Sequence, residues 1–372
     1  MHKDMKKRVT FTATFLCMFL HELYMVANAQ DGAATEPITP ALFIFGDSLI
    51  DNGNNNYLFT AAKANYFPYG IDTGGPTGRF SNGLTVVDYG ARYLGLPYIP
   101  PYFSITSFGR NILRGINYAS AAAGILDETG RHYGQRTTLN GQIFQFQETV
   151  TLKLPPLFQN QDELTQYLAK SVFLVDIGGN DYLNNYLQPE RYDTSSRYDG
   201  ESFADLLRDT LTSQITRLYN IGARKMVLVG SGPLGCIPSF LSKSNDGNCV
   251  ASVNNLIIPF NSRLIEMTNT LSDSLPGSFF VYQNTYDLFD DIIHNTSKYG
   301  FINSAKACCG NGRDGGELTC LPLQQPCAER DQYVFWDSFH PTQAVNAIIA
   351  RRGYSQYATD CTPISIYQLA QR

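Results

Sequence analysis

Short, mostly apolar runs recur along the chain and predict buried β-strands. The first covers Ala41–Phe45, and further runs cover Ile116–Ser120, Val172–Ile177, Lys225–Val229 and Phe279–Tyr282. Runs that are apolar at nearly every position, rather than at alternate positions, are typical of strands buried on both faces of a parallel sheet. The pattern therefore indicates a central parallel sheet.

Segments of helical character lie between these runs. Residues 203–220 have apolar positions three and four apart, the spacing of an amphipathic helix. The other predicted helices cover 84–94, with Asn82 as N-cap, and 139–152, 251–275, 286–294 and 342–351. Strands and helices alternate, which predicts an α/β fold, a three-layer α/β/α sandwich with a central, mostly parallel sheet. Because no repeat or low-complexity linker interrupts the chain, residues 30–372 are expected to form a single domain.

The N-terminus has the pattern of a secretory signal peptide. Basic residues precede the apolar segment 9–20, and Ala27-Asn28-Ala29 fits a cleavage site of small residues. Residues 1–29 are therefore expected to be removed and the protein to be secreted and extracellular. Asn295-Thr296-Ser297 is a predicted N-glycosylation site of such a protein.

The charge balance is acidic. The full chain has 28 Lys and Arg against 33 Asp and Glu, and loss of the signal peptide would make it more acidic still. Acidic surfaces do not attract nucleic acid or anionic membranes, so neither is expected as a partner. After the signal peptide, no stretch is long and apolar enough to predict a membrane span.

Seven cysteines follow the signal peptide, and in an oxidising compartment disulfide bonds are the default. Two of them, Cys236 and Cys249, flank a polar loop and predict one bond. Four more crowd a second, glycine-rich loop and predict two bonds of undetermined pairing, which leaves Cys361 unpaired; they are Cys308, Cys309, Cys320 and Cys327. A zinc site is the alternative for this second loop, but adjacent cysteines lack the usual two-residue ligand spacing. No metal and no cofactor is expected.

Ser48 is the candidate nucleophile. It follows the first predicted strand in Gly46-Asp47-Ser48, and open α/β sheets carry their chemistry beyond the carboxyl ends of the strands. The alternative is that Ser48 caps a following helix. A catalytic serine needs a base that takes its proton and donors that bind the oxyanion formed by its attack.

His340 is the candidate base. His132 and His294 lie in polar, surface-type segments, whereas Asp337 precedes His340 by three residues and Pro341 follows it directly. An aspartate this close can hold the imidazole in one tautomer and stabilise its protonated form. The alternative is that Asp337 caps the last helix.

Two more loops that follow predicted strands supply candidate oxyanion donors. Gly124 has no side chain and can bring its backbone N–H close to a ligand. Asn180 offers a side-chain amide. A third glycine-rich loop, residues 230–235, fits the pattern of a dinucleotide site, but Pro233 and Pro238 leave no helix there to receive a pyrophosphate, so a nicotinamide cofactor is not expected.

Five motifs, in order along nearly the whole chain after residue 29, resemble the plant secreted branch of the GDSL esterases and lipases, also called SGNH hydrolases. They are Phe45–Leu49 with Asp51–Asn56, Gly78–Gly83, Asn117–Ser120 with Gly124, Gly178–Asp181, and Phe335–Pro341. The resemblance implies a flavodoxin-like SGNH hydrolase domain located in the apoplast or cell wall. It also implies that Ser48, Asp337 and His340 are catalytic, and that Gly124, Asn180 and the Ser48 N–H bind the oxyanion.

The implied activity is hydrolysis of carboxylic esters, of lipids or of other acyl groups, through an acyl-enzyme on Ser48. If an alcohol instead of water accepts the acyl group, the same site is an extracellular acyltransferase or polyester synthase of the cutin type. A non-catalytic wall or lipid-binding protein on the same fold is a further alternative. The complete set of predicted site residues favours an enzyme, and its partner would be a small-molecule or lipid ester.

Overall fold

The structure is a computed structural model that describes residues 36–105 and 110–372. Within it, Ile38–Arg372 form one compact unit. The predicted signal peptide, residues 1–29, lies outside the described residues. In the described part of the chain no helix is both long and apolar enough to cross a membrane.

The strands are β1 (Leu42–Gly46), β2 (Val172–Asp176), β3 (Lys225–Val229), β4 (Phe279–Gln283), β5 (Asn303–Ala307), β6 (Tyr333–Phe335) and β7 (Cys361–Thr362). The longer helices are α1 (Val86–Tyr93), α2 (Leu139–Glu148), α3 (Gln161–Lys170), α4 (Gly200–Ile221), α5 (Ala251–Ser274), α6 (Thr285–His294), α7 (Gln343–Tyr354) and α8 (Ile366–Gln371). Single helical turns cover Gly179–Asp181, Thr194–Arg197, Pro238–Leu241 and Thr296–Tyr299, and a π-helical turn, Thr149–Lys153, extends α2.

The main sheet has the strand order β1-β2-β3-β4-β7, in which β1 to β4 are parallel and β7 pairs antiparallel with β4. On the free side of β1, Tyr118 N–H donates to Ile44 O at 2.8 Å, and Ser120 N–H donates to Gly46 O at 3.0 Å. Counting the segment around Tyr118 as the second element gives the order 2-1-3-4-5 of flavodoxin-like folds. Such folds bind ligands where the order reverses, which here is between β1 and β2.

The prediction of a regular strand over Ile116–Ser120 is wrong, because this segment forms only isolated β-bridges. The Asn117 side chain turns back to the local backbone, where its Oδ1 accepts from Ala119 N–H at 2.9 Å and its Nδ2 donates to Ile50 O at 2.6 Å. These bonds replace regular pairing and tie the segment to the loop after β1.

Helices cover both faces of the sheet, as predicted. Alternate residues of the strands point to opposite sides, with Phe43 and Phe45 packing into one hydrophobic cluster and Leu42 and Ile44 into another. The first cluster includes buried residues of α2, α3, α4 and α5, and the second those of α1, α7 and α8. The fold is therefore a three-layer α/β/α sandwich.

Several elements differ from the prediction. Thr85, not Asn82, is the N-cap of α1, and it forms a capping box with Asp88. Asn82 instead accepts from Gln343 N–H at 2.8 Å, at the start of α7. Among the strands and the longer helices, the unpredicted elements are α3, α8, β7 and a small parallel sheet of β5 and β6.

Three disulfide bonds staple the loops. Cys236 pairs with Cys249, and in the second loop Cys308 pairs with Cys327 and Cys309 with Cys320. This pairing occupies all four cysteines considered for zinc. Cys361 is a buried free thiol in β7.

Candidate active site

The carboxyl ends of the parallel strands lie level with one another. Gly46, Asp176, Val229 and Gln283 are register partners across the sheet. Gly46 is required at the end of β1, because a Cβ there would stand 2.2 Å from Asp176 O. The side chain of Gln142 fixes the same residue, accepting from Gly46 N–H and donating to Gly46 O, both at 2.8 Å. The turn that carries Ser48 therefore leaves the sheet from a rigid point.

Ser48, His340 and Asp337 form a hydrogen-bonded chain. Ser48 Oγ lies 2.8 Å from His340 Nε2, and His340 Nδ1 lies 2.8 Å from Asp337 Oδ1 and 2.9 Å from Oδ2. Asp337 is fully buried and His340 is 7% exposed, so water competes little for these bonds. Ser48 stands in a half-exposed turn, and the next helical segment begins only at Asn54, so it is not a helix cap.

A tight loop between β6 and α7 presents Asp337 and His340. Trp336 N–H donates to His340 O at 2.8 Å and closes the loop. Asp337 Oδ1 also accepts from the N–H groups of Phe339 and His340, each at 2.9 Å. The carboxylate therefore shapes the loop and orients the imidazole, while the N-cap of α7 is Thr342.

Tyr69 supplies a further donor to the carboxylate. Its hydroxyl lies 2.6 Å from Asp337 Oδ2, and its side chain is almost fully buried. Burial acts to raise the pKa of Asp337, but the charge of His340 and the hydrogen bonds from His340, Tyr69 and the Phe339 N–H outweigh it and hold that pKa below its ordinary value. Asp337 is thus kept ionised. Sequence reasoning missed Tyr69, because one tyrosine in the turn-rich segment 67–80 carries no signal of its own.

A cavity opens directly above Ser48 and His340. It encloses about 850 Å³ including its open mouth. Besides these two residues its walls include Asn180, Tyr66 and Phe80. We call it the catalytic cavity.

Asn180 is held in one orientation at the edge of this cavity. Its Nδ2 donates to Ala123 O at 3.0 Å, and its Oδ1 accepts from Asn184 Nδ2 at 2.6 Å. An amide carries two N–H groups, so the second can serve a ligand. At Ser48 the neighbouring Leu49 N–H donates to Asp47 Oδ1, whereas no acceptor among the described residues takes the Ser48 N–H.

Gly124, unlike Ser48 and Asn180, does not line the catalytic cavity. Ala121 and Ala122 of the same loop do line it. A Cβ on Gly124 would stand 2.7 Å from both carboxylate oxygens of Asp181. That carboxylate accepts from Ile125 N–H at 2.7 Å and so binds this loop to the one carrying Asn180.

The asparagine-rich loop after Ser48 is a structural clamp that sequence reasoning did not identify. Asp51 Oδ1 accepts from the N–H groups of Gly53 and Asn54, at 2.7 and 2.6 Å. Asn54 Nδ2 donates to Asn117 O and Ala119 O, at 2.9 and 2.8 Å. Asn and Asp side chains that satisfy backbone groups in this way stabilise loops, and here they fix the turn around Ser48.

The remaining candidates lie away from this site. His132 Nδ1 lies 2.8 Å from the Tyr192 hydroxyl, and His294 is an exposed residue at the end of α6. Asn295 is exposed just beyond that helix, so its glycosylation stays a prediction. Residues 230–235 lead into a short 3-10 turn, Leu234–Cys236, and not into the long helix of a dinucleotide site.

A serine hydroxyl that is hydrogen-bonded to an Asp-oriented imidazole, at the strand ends of an α/β sandwich, is the constellation of serine hydrolases. Residues 42–352 match a family model described as GDSL-like lipase/acylhydrolase. The protein named "GDSL esterase/lipase 7" of Arabidopsis thaliana is 62% identical over 359 residues, covering 96% of this chain and 98% of that protein. Another Arabidopsis GDSL esterase/lipase is 43% identical over 372 residues, covering 99% of each.

The chain therefore belongs to the GDSL esterase/lipase family. Its class is that of the carboxylic ester hydrolases, as the resemblance in the motifs implied.

Proposed function

We propose that this protein is a secreted serine esterase or lipase that cleaves acyl esters through a covalent acyl-enzyme on Ser48. The observation that carries the proposal is the unbroken chain of hydrogen bonds from Ser48 Oγ through His340 to Asp337. The 2.8 Å contact between Oγ and Nε2 is within the range that proton transfer requires.

In the first half of the reaction, Ser48 Oγ attacks the ester carbonyl carbon and its proton passes to His340 Nε2. The new Oγ–C bond forms a tetrahedral oxyanion. As the C–O bond to the alcohol breaks, the same proton passes from His340 to the departing alkoxide. Asp337 stays ionised and stabilises the imidazolium, consistent with its lowered pKa.

In the second half, water attacks the acyl carbon and gives a proton to His340, which then returns it to Ser48 Oγ as the acid leaves. We propose that the Ser48 N–H and the Asn180 amide bind the oxyanion in both halves. Their positions at the catalytic cavity support this role. The same role for Gly124 stays a prediction.

The proposed location is extracellular, with residues 1–29 removed as a signal peptide. Three disulfide bonds support an oxidising compartment. The protein would thus act in the apoplast or cell wall on ester substrates that reach it there.

The test uses p-nitrophenyl esters from acetate to dodecanoate and protein recovered from the medium of a eukaryotic host. We expect Ser48→Ala to lower kcat by more than about a thousandfold, the scale of losing a catalytic serine. The exposed Ser262→Ala variant, with a serine on the outer face of α5, serves as the matched control. A fluorophosphonate should label wild-type protein on the Ser48 peptide, and the mature N-terminus should be Gln30.

Equal activity of folded wild-type and Ser48→Ala protein would refute Ser48 as the nucleophile. Wild-type protein that is folded but neither hydrolyses the esters nor takes the label would favour a binding protein. If added alcohol diverts the product from acid to a new ester, acyl transfer is the second activity of the same site.

A further inference from the structure

Large apolar side chains stand exposed in two loops that wall the catalytic cavity. In the first loop, Phe59 and Phe67 flank the segment 61–66, four residues of which line the cavity. The second loop has three exposed leucines around the lining residue Thr319, which are Leu318, Leu321 and Leu323. We call these five exposed side chains the apolar rim.

The backbone that carries the apolar rim is held in place. Leu323 N–H donates to Phe67 O at 2.8 Å, and the Tyr66 hydroxyl donates to Cys320 O at 2.9 Å, so the two loops are bonded to each other. The disulfide bond between Cys309 and Cys320 anchors the second loop from its other side. The rim side chains therefore point to water from fixed positions.

The fold gains little from these side chains. Phe59 is 86% exposed and Leu323 is 88% exposed, so neither removes much apolar surface from water. Leu323 also has a φ of 63°, in the left-handed region that residues other than glycine seldom adopt. Single exposed apolar residues are ordinary, but a group of them beside one opening marks an interaction surface.

The rim segments carry almost no charge. Residues 57–62, 64–71 and 318–326 contain no Asp, Glu, Lys, Arg or His, although charged residues make up 16% of the chain. Lys63 is the one charged residue between the first two segments. An anionic membrane is attracted by a cluster of basic groups, and the net charge of the chain is −5. The surface that fits the rim is therefore apolar and uncharged.

Because the rim stands beside the mouth of the catalytic cavity, whatever covers the rim also faces Ser48 and His340. A second copy of the chain or another protein would close this mouth, whereas a lipid surface presents ester groups to it. We propose that the apolar rim docks the protein on the surface of aggregated, uncharged lipid esters, from which the substrate enters the catalytic cavity. This inference rests on the proposed function and names the physical form of the substrate.

The test measures binding without turnover. Ser48→Ala protein is mixed with droplets of trioleoylglycerol stabilised by phosphatidylcholine, and the bound fraction is recovered by flotation. Phe59→Ser with Leu323→Asn removes two rim side chains, and asparagine suits the positive φ at position 323. Leu152→Asn with Tyr357→Ser is the matched control, since both of these residues are strongly exposed outside the rim segments.

We expect the double rim variant to need at least ten times more lipid for half-maximal binding, and the double control variant to change this concentration less than twofold. Equal binding of the unaltered and the folded rim-variant proteins would overturn the inference, as would equal losses in the rim and control variants, or no flotation at all. If the double rim variant does not fold, Phe59→Ser alone decides the question.

A dimer in sedimentation that the rim substitutions dissolve would assign the rim to a second copy of the chain, and this result too would overturn the inference. Failure of the proposed function is separate. Binding is measured in protein without the Ser48 hydroxyl, whereas failure of the function would appear as ester hydrolysis that survives Ser48→Ala.

Discussion

Replacing Tyr69 by phenylalanine removes one hydrogen bond from the Asp337 carboxylate, which orients His340, the proposed base. Tyr69 is the donor to Asp337 that comes from outside the loop carrying Asp337 and His340. The ring stays the same size in a site that is 1% exposed, so the substitution tests the hydroxyl and not the packing. The hydroxyl also contacts Thr319 Oγ1 at 3.2 Å, which loses its partner in the variant.

The magnitude follows from the charge of the acceptor. A hydrogen bond to a charged group contributes about 1.5–3 kcal/mol, and 1.36 kcal/mol corresponds to a tenfold change in rate. The bond is present in the ground state and in the transition state, so only part of its free energy affects the barrier. Asp337 also keeps the bonds from His340 and from the Phe339 N–H. We therefore expect kcat of Tyr69→Phe to fall about three- to tenfold.

The assay is steady-state hydrolysis of p-nitrophenyl butyrate, with kcat and KM determined separately. KM should stay within twofold, because the hydroxyl orients the base and is not proposed to bind the ester. Tyr66→Phe is the matched control, since its hydroxyl donates to Cys320 O at 2.9 Å and its ring lies 5.3 Å from that of Tyr69. Wild-type kcat in folded Tyr69→Phe protein, or an equal loss of kcat in Tyr66→Phe, would refute a positioning role for Tyr69.

Two further predictions concern stability. Burial raises the pKa of Asp47 to about 7 in the folded protein, whereas its ordinary value is 3.8. The protonated carboxyl group therefore stabilises the fold fully below about pH 4, and this stabilisation is lost as the pH rises through about 7. Over that pH range the free energy of unfolding should fall by up to about 4 kcal/mol more in the wild-type protein than in Asp47→Asn. Urea unfolding of both proteins at each pH measures this difference, and parallel pH profiles of the two proteins would contradict the prediction. Replacing Cys309 and Cys320 together by serine opens a loop with a sequence separation of 11. This change should lower the free energy of unfolding by about 2–3 kcal/mol, measured by urea unfolding at pH 7. An unchanged midpoint would show that the bond does not constrain the unfolded chain.

The sheet could be predicted because its strands are apolar on both faces. The runs at β1, β2, β3 and β4 are buried between two helical layers, so almost every residue in them is apolar. The strand β5 escaped prediction because its sequence, Asn-Ser-Ala-Lys-Ala, is half exposed and carries no such pattern. The two-residue β7 is too short to have one.

The residues of the candidate site that could be predicted from the sequence are those whose side chains have a distinctive chemistry. Ser48, His340 and Asp337 stand next to strand ends or beside one another in sequence, and the structure brings their side chains within hydrogen-bonding distance. Tyr69 and Gln142 are ordinary residues whose importance comes only from what they contact in three dimensions. No local pattern announces such contacts, so they appear only in the structure.

Ser48 and His340 are 292 positions apart in the sequence, and this separation has a consequence during synthesis of the chain. The strands from β1 to β4 are neighbours in the order in which they are made, so the sheet can grow as the chain emerges during synthesis. The hydroxyl, however, meets its imidazole only when the segment after β6 has been made and has docked. A nascent chain that stops anywhere before that segment carries Ser48 without its imidazole partner. The proposed reactivity of Ser48 can therefore arise only after the chain has been made as far as His340 and this segment has docked.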